Sequence, residues 1–158
     1  MTLDLSIHEG HMREVFAIAR RAYAHGNRPF GAMLVAGNGA ILAVAENSQM
    51  TDGQILAHAE MNLLQRAVRD FTPDVLGTAT LYTSAEPCAM CAGAIFWSGI
   101  TRLVFGLSAD RLHALAGFSP QSLVASAREV LASAGRHVEI VGPVFEPEAE
   151  LILKEAEF

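Results

Sequence analysis

Residues 79–99 read ATLYTSAEPCAMCAGAIFWSG. The β-branched and aromatic run Ala79–Thr83 predicts a short strand. Pro87 predicts a helix start, because its fixed φ suits the first helical position. That helix is expected to run to about Ser98, where Gly99 stops it. Arg102–Leu107 then predicts another strand. Strand, helix and strand in such close succession make a parallel crossover unit with a helix laid on the sheet.

The flanking segments extend this unit in both directions. Upstream, Met12, Val15, Phe16, Ile18, Ala19, Ala22 and Tyr23 recur at helical spacing within Ile7–His25. Gly26-Asn27 ends that helix, and Arg28-Pro29 disfavours its restart. Gly31–Ala36 reads as a buried strand, Gly37-Asn38-Gly39 as a hairpin turn, and Ile41–Glu46 as the antiparallel return. Asn47–Leu56 is polar and irregular. A helix is predicted over about His58–Asp70, with Met61, Leu64, Ala67 and Val68 on one side, and a loop over Thr72–Gly77. Downstream, one or two short helices fill Ala109–Ser133, His137–Val141 is a fifth strand, and Glu146–Glu157 a last helix. The order α-β-β-α-β-α-β-α-β-α implies parallel pairing apart from the opening hairpin. It predicts a three-layer α/β/α sandwich forming a single domain over residues 1–158.

Bulk properties narrow the function. The chain has 158 residues, 51% of them apolar and 18% charged, as expected of one compact enzyme domain. No apolar run reaches the ~20 residues of a membrane span. Met1–His11 carries acids and histidines and no apolar signal core, so a cytoplasmic location is expected. The net charge is −6, with no cluster of Lys and Arg beyond Arg20-Arg21. Phosphate neutralisation supplies most nucleic-acid affinity, so this balance argues against a large RNA or DNA partner.

Only two cysteines are present, Cys88 and Cys91, and His58-Ala59-Glu60 lies upstream. One imidazole and two thiolates supply three ligands to a tetrahedral zinc and leave one position open, the pattern of a catalytic site. The i, i+3 spacing puts both sulfurs on one face of the first turn. A helix N-terminus beside them favours the thiolate form. Zinc so held would lower the pKa of water toward ~7 and make it nucleophilic. Glu60 is then a carboxylate free to move a proton from water to a ring nitrogen and on to departing ammonia. H-x-E with P-C-x-x-C is the signature of zinc deaminases acting on nucleobases. A C-x-x-C pair alone also suits a redox couple or half of a structural metal site, but thioredoxin-like pairs follow the first strand and a structural site needs a fourth ligand. His8-Glu9-Gly10-His11 lacks metalloprotease spacing and reads as a solvated helix start; His25 and His137 read as surface residues, and His113 as lying on a surface helix.

His58-Ala59-Glu60 together with Glu86-Pro87-Cys88-Ala89-Met90-Cys91-Ala92-Gly93-Ala94 resembles the cytidine/deoxycytidylate deaminase superfamily. It is most similar to the branch of guanine deaminases, cytosine deaminases and tRNA adenosine deaminases. The resemblance implies strand order 2-1-3-4-5, one zinc per chain on His58, Cys88 and Cys91, and Glu60 as proton shuttle. It also implies base contacts from Phe30, Asn47 and the backbone at Ala59, and a homodimer. Trp97 lies nine residues past Cys88, about 180° around the helix at ~100° per residue. It should therefore face away from its own metal; the resemblance to guanine deaminases implies that it lies at a subunit interface and reaches the partner's pocket. The expected substrate is a small aminated base or nucleoside, guanine-like first, with tRNA adenosine and cytosine as alternatives; a zinc-stabilised scaffold without activity is the reading outside the enzymes. Arg28-Pro29-Phe30-Gly31-Ala32 is similar to guanine deaminases, which end near an aromatic phenol where this chain ends at Phe158. They also carry acids after a Gly-Phe, where Gly117-Phe118 is here followed by Ser119-Pro120-Gln121.

Overall fold

The computed structural model describes residues 5–117 and 119–158. The readings placed on Met1–Asp4 and on Phe118 lie outside those residues. The elements are α1 (Ser6–Ala24), β1 (Gly31–Val35), β2 (Ile41–Glu46), α2 (Gln49–Asp52), α3 (Ala59–Asp70), α4 (Pro73–Thr78), β3 (Thr80–Ala85), α5 (Ala89–Trp97), β4 (Arg102–Leu107), α6 (Ala109–Ala116), α7 (Ala127–Ala132), β5 (Glu139–Val141) and α8 (Glu146–Glu155).

One five-stranded sheet has the expected order 2-1-3-4-5. β3, β4 and β5 pair in parallel. The pairing of β1 with β3 is antiparallel, in register Ala32 with Thr83, and departs from the expectation of parallel pairing outside the hairpin. The reason is topological. The crossover from β2 through α3 returns the chain parallel to β2, but it lands on the far side of β1. A strand parallel to β2 is necessarily antiparallel to the strand between them.

Both faces of the sheet are covered. Ala32, Leu34, Leu81 and Leu103 pack under α3, α5 and α7. Met33, Val35, Tyr82 and Val104 pack under α1 and α8. Burial on both faces explains why GAMLV is apolar throughout rather than alternating. Gly31 is required by this packing: a Cβ there would lie 2.7 Å from Ile18 Cγ2 of α1.

Several local readings shift. Thr72–Gly77 was expected as a loop but includes α4, a six-residue helix too short to show periodicity. α2 likewise sits inside the irregular Asn47–Leu56 stretch. Pro87 precedes the helix rather than opening it, because Cys88 is the N-cap of α5. In α3 the inward side is Glu60, Leu63, Leu64 and Ala67, while Val68 is exposed.

His8 corrects a further reading. It was expected in solvent, but it is buried against the sheet and its Nδ1 lies 3.0 Å from the Tyr82 hydroxyl. The His11 ring packs against the same tyrosine. Burial, then the charges of His11 and Arg102, hold the His8 pKa below its ordinary value, with Glu139 opposing. A histidine with a lowered folded pKa binds fewer protons than its unfolded form. Its contribution to stability is complete above the unfolded value of about 6.5 and is lost as pH falls below it. Thermal unfolding at pH 7.5 and 5.5 should therefore show a larger drop for the wild type than for His8→Gln; equal drops would count against a neutral, buried His8.

Candidate zinc centre and adjoining pocket

The site forms where two helix N-termini meet the end of β3. His58 is the N-cap of α3 and Cys88 the N-cap of α5, so both caps are extended while the helices run away behind them. Cys91 lies one turn into α5. His58 Nδ1 is 3.6 Å from each of the two sulfurs. The three ligand atoms lie within 4.8 Å of one another, and among the described residues no fourth donor joins them. Zn–S and Zn–N bonds of ~2.3 and ~2.05 Å at a tetrahedral angle demand an N···S separation of about 3.6 Å. The donor set therefore fits one zinc ion with one open position.

Of the two thiols, one already favours the thiolate that zinc binds. The Cys91 thiol beside it, with His58, pushes the Cys88 thiol down to about 4, while the same contact and burial push Cys91 up. A nearby Cys88 thiolate raises the His58 pKa. Glu60 is 7% exposed and projects from the first turn of α3. Burial pushes its carboxyl above the ordinary value, opposed by the Thr83 hydroxyl, which donates to Oε1 at 2.6 Å. Its other oxygen is 3.7 Å from Cys91 Sγ, outside the ligand cluster but against it. A carboxyl so placed, beside the ligand cluster and open to the pocket, is positioned to take up and give back a proton there.

Beside the ligands lies a cavity of about 160 Å³. At roughly 10–15 Å³ per water it holds on the order of ten, comparable to the non-hydrogen atoms of a single base. The expected residues Phe30, Asn47 and Ala59 line it together with His58, Glu60 and Cys88. Trp97 does not: it is 85% exposed, away from its own pocket as the helical arc predicts. Asn47 is buried at the end of β2.

The sequence reading did not single out several wall residues. Phe158 closes the pocket in a T-shaped pair with Phe30, ring centroids 5.3 Å apart, and the Arg28 guanidinium carbon lies over the Phe158 ring, 5.8 Å from its centre. Leu112 from α6 and Gln49 from α2 also line it. Glu86 stood in the motif, but its role is architectural. Its carboxylate accepts from the backbone N–H groups of Ala109 and Ala127, tethering the starts of α6 and α7. Only the fold brings these distant segments together, so no local pattern could have marked them.

A five-stranded α/β/α sandwich with a His-Cys-Cys cluster and an adjacent buried glutamate defines a zinc-dependent deaminase. Residues 5–107 match the model of the cytidine and deoxycytidylate deaminase zinc-binding region, and the chain belongs to that family. It is 40% identical to a probable cytosine deaminase of Schizosaccharomyces pombe, over 88% of this chain and 85% of that one. It is 42% identical to a tRNA-specific adenosine deaminase of Bacillus subtilis, over 62% of this chain and 60% of that one. Among solved structures it resembles a guanine deaminase from Nitrosomonas europaea, with a TM-score of 0.77, 27% identity, and coverage of 92% and 81% of the two chains. The protein is thus an enzyme hydrolysing C–N bonds of nucleobases or nucleosides. Among the described residues no helix is long and apolar enough to cross a membrane.

Proposed function

We propose that the enzyme deaminates a free base, guanine-like purines first, by exchanging a ring-bound amine for oxygen and releasing ammonia. The observation that carries this reading is the base-sized cavity beside Glu60, walled by Phe30 and Phe158. Flat aromatic walls favour a planar heterocycle. The closing Phe158 ring leaves little room for a sugar and a polymer. The net charge of −6, with Arg28 the one Lys or Arg among the described residues of the pocket wall, weighs against a tRNA stem.

Zinc supplies Lewis acidity that makes water nucleophilic near neutral pH. The protein's own residues do the rest. Glu60 takes the proton released by the attacking water and returns it to the ring nitrogen next to the reacting carbon. The proton remaining on the oxygen now bound to that carbon passes through the same carboxyl to the amine; the C–N bond breaks as the carbonyl forms, and the amine leaves as ammonia. Asn47 and the backbone at Ala59 orient the ring. Cytosine is the second reading, favoured by the 40% identity across most of both chains.

Ammonia release should be measured for guanine, cytosine, guanosine, cytidine, adenosine and a tRNA anticodon stem. The expected result is turnover of a free base about a hundredfold above any nucleoside or RNA. Preference for the tRNA stem would overturn the proposal. We also read the exposed Trp97 face as the contact with a second copy of the chain. Light scattering on the zinc-loaded sample should give twice the chain mass, and a monomer at micromolar concentration would count against that face.

A further inference from the structure

Asn47 does not stand alone at the edge of the pocket. Its Nδ2 donates to Gln49 Oε1 at 2.8 Å, and its Oδ1 accepts from the Gln49 backbone N–H at 3.1 Å. Gln49 is itself buried, and its Nε2 donates to the Ile55 carbonyl at 2.8 Å. This last bond decides the assignment of both amides. Ile55 O only accepts, so the Gln49 nitrogen must face it. The Gln49 oxygen then faces Asn47, and the Asn47 nitrogen must face that oxygen. A carboxamide has two N–H groups and two oxygen lone pairs. Gln49 occupies one of each, leaving one N–H and one lone pair of Asn47 for the pocket it lines.

We propose that Gln49 is a positioning residue that locks the Asn47 carboxamide in one orientation, and that the locked amide selects substrates with a ring N–H beside a ring carbonyl. This rests on the reading of Asn47 as a base contact. A donor and an acceptor side by side on a planar amide are complementary to a cyclic amide, which offers C=O and N–H in the same spacing. Guanine and cytosine both carry that edge; 2-aminopurine and 4-aminopyrimidine have the same leaving amine but no carbonyl. An Asn47 held only by the backbone N–H of residue 49 would turn more freely and pair with the matching edge at a lower average occupancy. The lock turns a tolerant contact into a selective one, because a mismatched substrate leaves a buried polar group unpaired. The α2 segment that carries Gln49 thus belongs to the recognition apparatus.

The test uses the zinc-loaded protein and two variants. Gln49→Met removes the side-chain half of the lock and leaves only the backbone N–H of residue 49 on Asn47 Oδ1; Gln49→Glu keeps an oxygen to accept from Asn47 Nδ2. The preference in kcat/KM for guanine over 2-aminopurine, or for cytosine over 4-aminopyrimidine, should fall about tenfold in Gln49→Met, with the change in KM rather than kcat. It should be largely restored in Gln49→Glu. Independently of activity, NMR of the Asn47 side-chain amide should show exchange with solvent about tenfold faster in Gln49→Met than in the wild type. Unchanged preference with unchanged amide exchange in Gln49→Met overturns the proposal. Equal damage from both variants also overturns it, since Gln49 would then only anchor Ile55. If the wild type deaminates none of these bases, the functional reading fails, and the exchange measurement still decides whether Gln49 locks Asn47.

Discussion

Glu60→Gln is expected to keep one zinc per chain and to lose ammonia release by a factor of about 10²–10⁴, the usual weight of a positioned general acid–base group. The metal stays because Glu60 is outside the ligand cluster of His58, Cys88 and Cys91. The geometry stays because glutamine has nearly the same shape, and its oxygen still accepts from the Thr83 hydroxyl that now bonds Oε1. What is removed is a group that can take a proton from water and give it up again. Stability should be unchanged or slightly higher. A carboxyl this buried is held at the cost of desolvation, which an amide with a hydrogen-bond partner lessens. The loss is therefore purely chemical, and elemental analysis beside an ammonia assay separates the two effects. Full zinc content with wild-type turnover would remove Glu60 from the mechanism.

Cys88→Ala is expected to lose the metal, the activity and much of the stability together. Ion binding that accompanies folding adds RT ln(1 + [L]/Kd), about 4 kcal/mol at a thousandfold excess over Kd. For a chain of this size that amounts to a fall of about 10 °C in Tm. Cys88 is the better probe of the two thiols. Cys91 is fully buried, so truncating it also opens a cavity, whereas Cys88 is half-buried at the helix start. The control is wild-type protein stripped with a chelator. It should melt close to Cys88→Ala and recover on adding zinc, while the variant does not. A variant that retains stoichiometric zinc would take Cys88 out of the ligand set.

These expectations rest on features of different legibility. The ligand cluster was readable because its spacings are local: i, i+3 in α5 puts both sulfurs on one face, and His58 and Glu60 share the start of α3. The direction of Trp97, away from its own pocket, was readable for the same reason, since a helical arc needs no knowledge of neighbours. His8 was misjudged because the apolar sheet face that buries it, with Tyr82 at its centre, lies 74 residues away in sequence. Phe158 was noted only as a terminal departure from the family pattern. Its place against Phe30 depends on α8 folding back over the sheet beside α1.

The residues by themselves determined the order of the strands and longer helices, the three-layer architecture and the chemistry of the metal site, because helical periodicity, caps and ligand spacing are short-range; the short α2 and α4 escaped that reading. The tertiary structure alone decided the antiparallel pairing of β1 with β3, the tethering of α6 and α7 by Glu86, and the closure of the pocket by Phe158 and Gln49. Each of these joins segments far apart in sequence or set by the path of the chain. Pairing across such distances is fixed by which faces must be buried and which polar groups must find partners, and that is settled only when the whole sheet has formed.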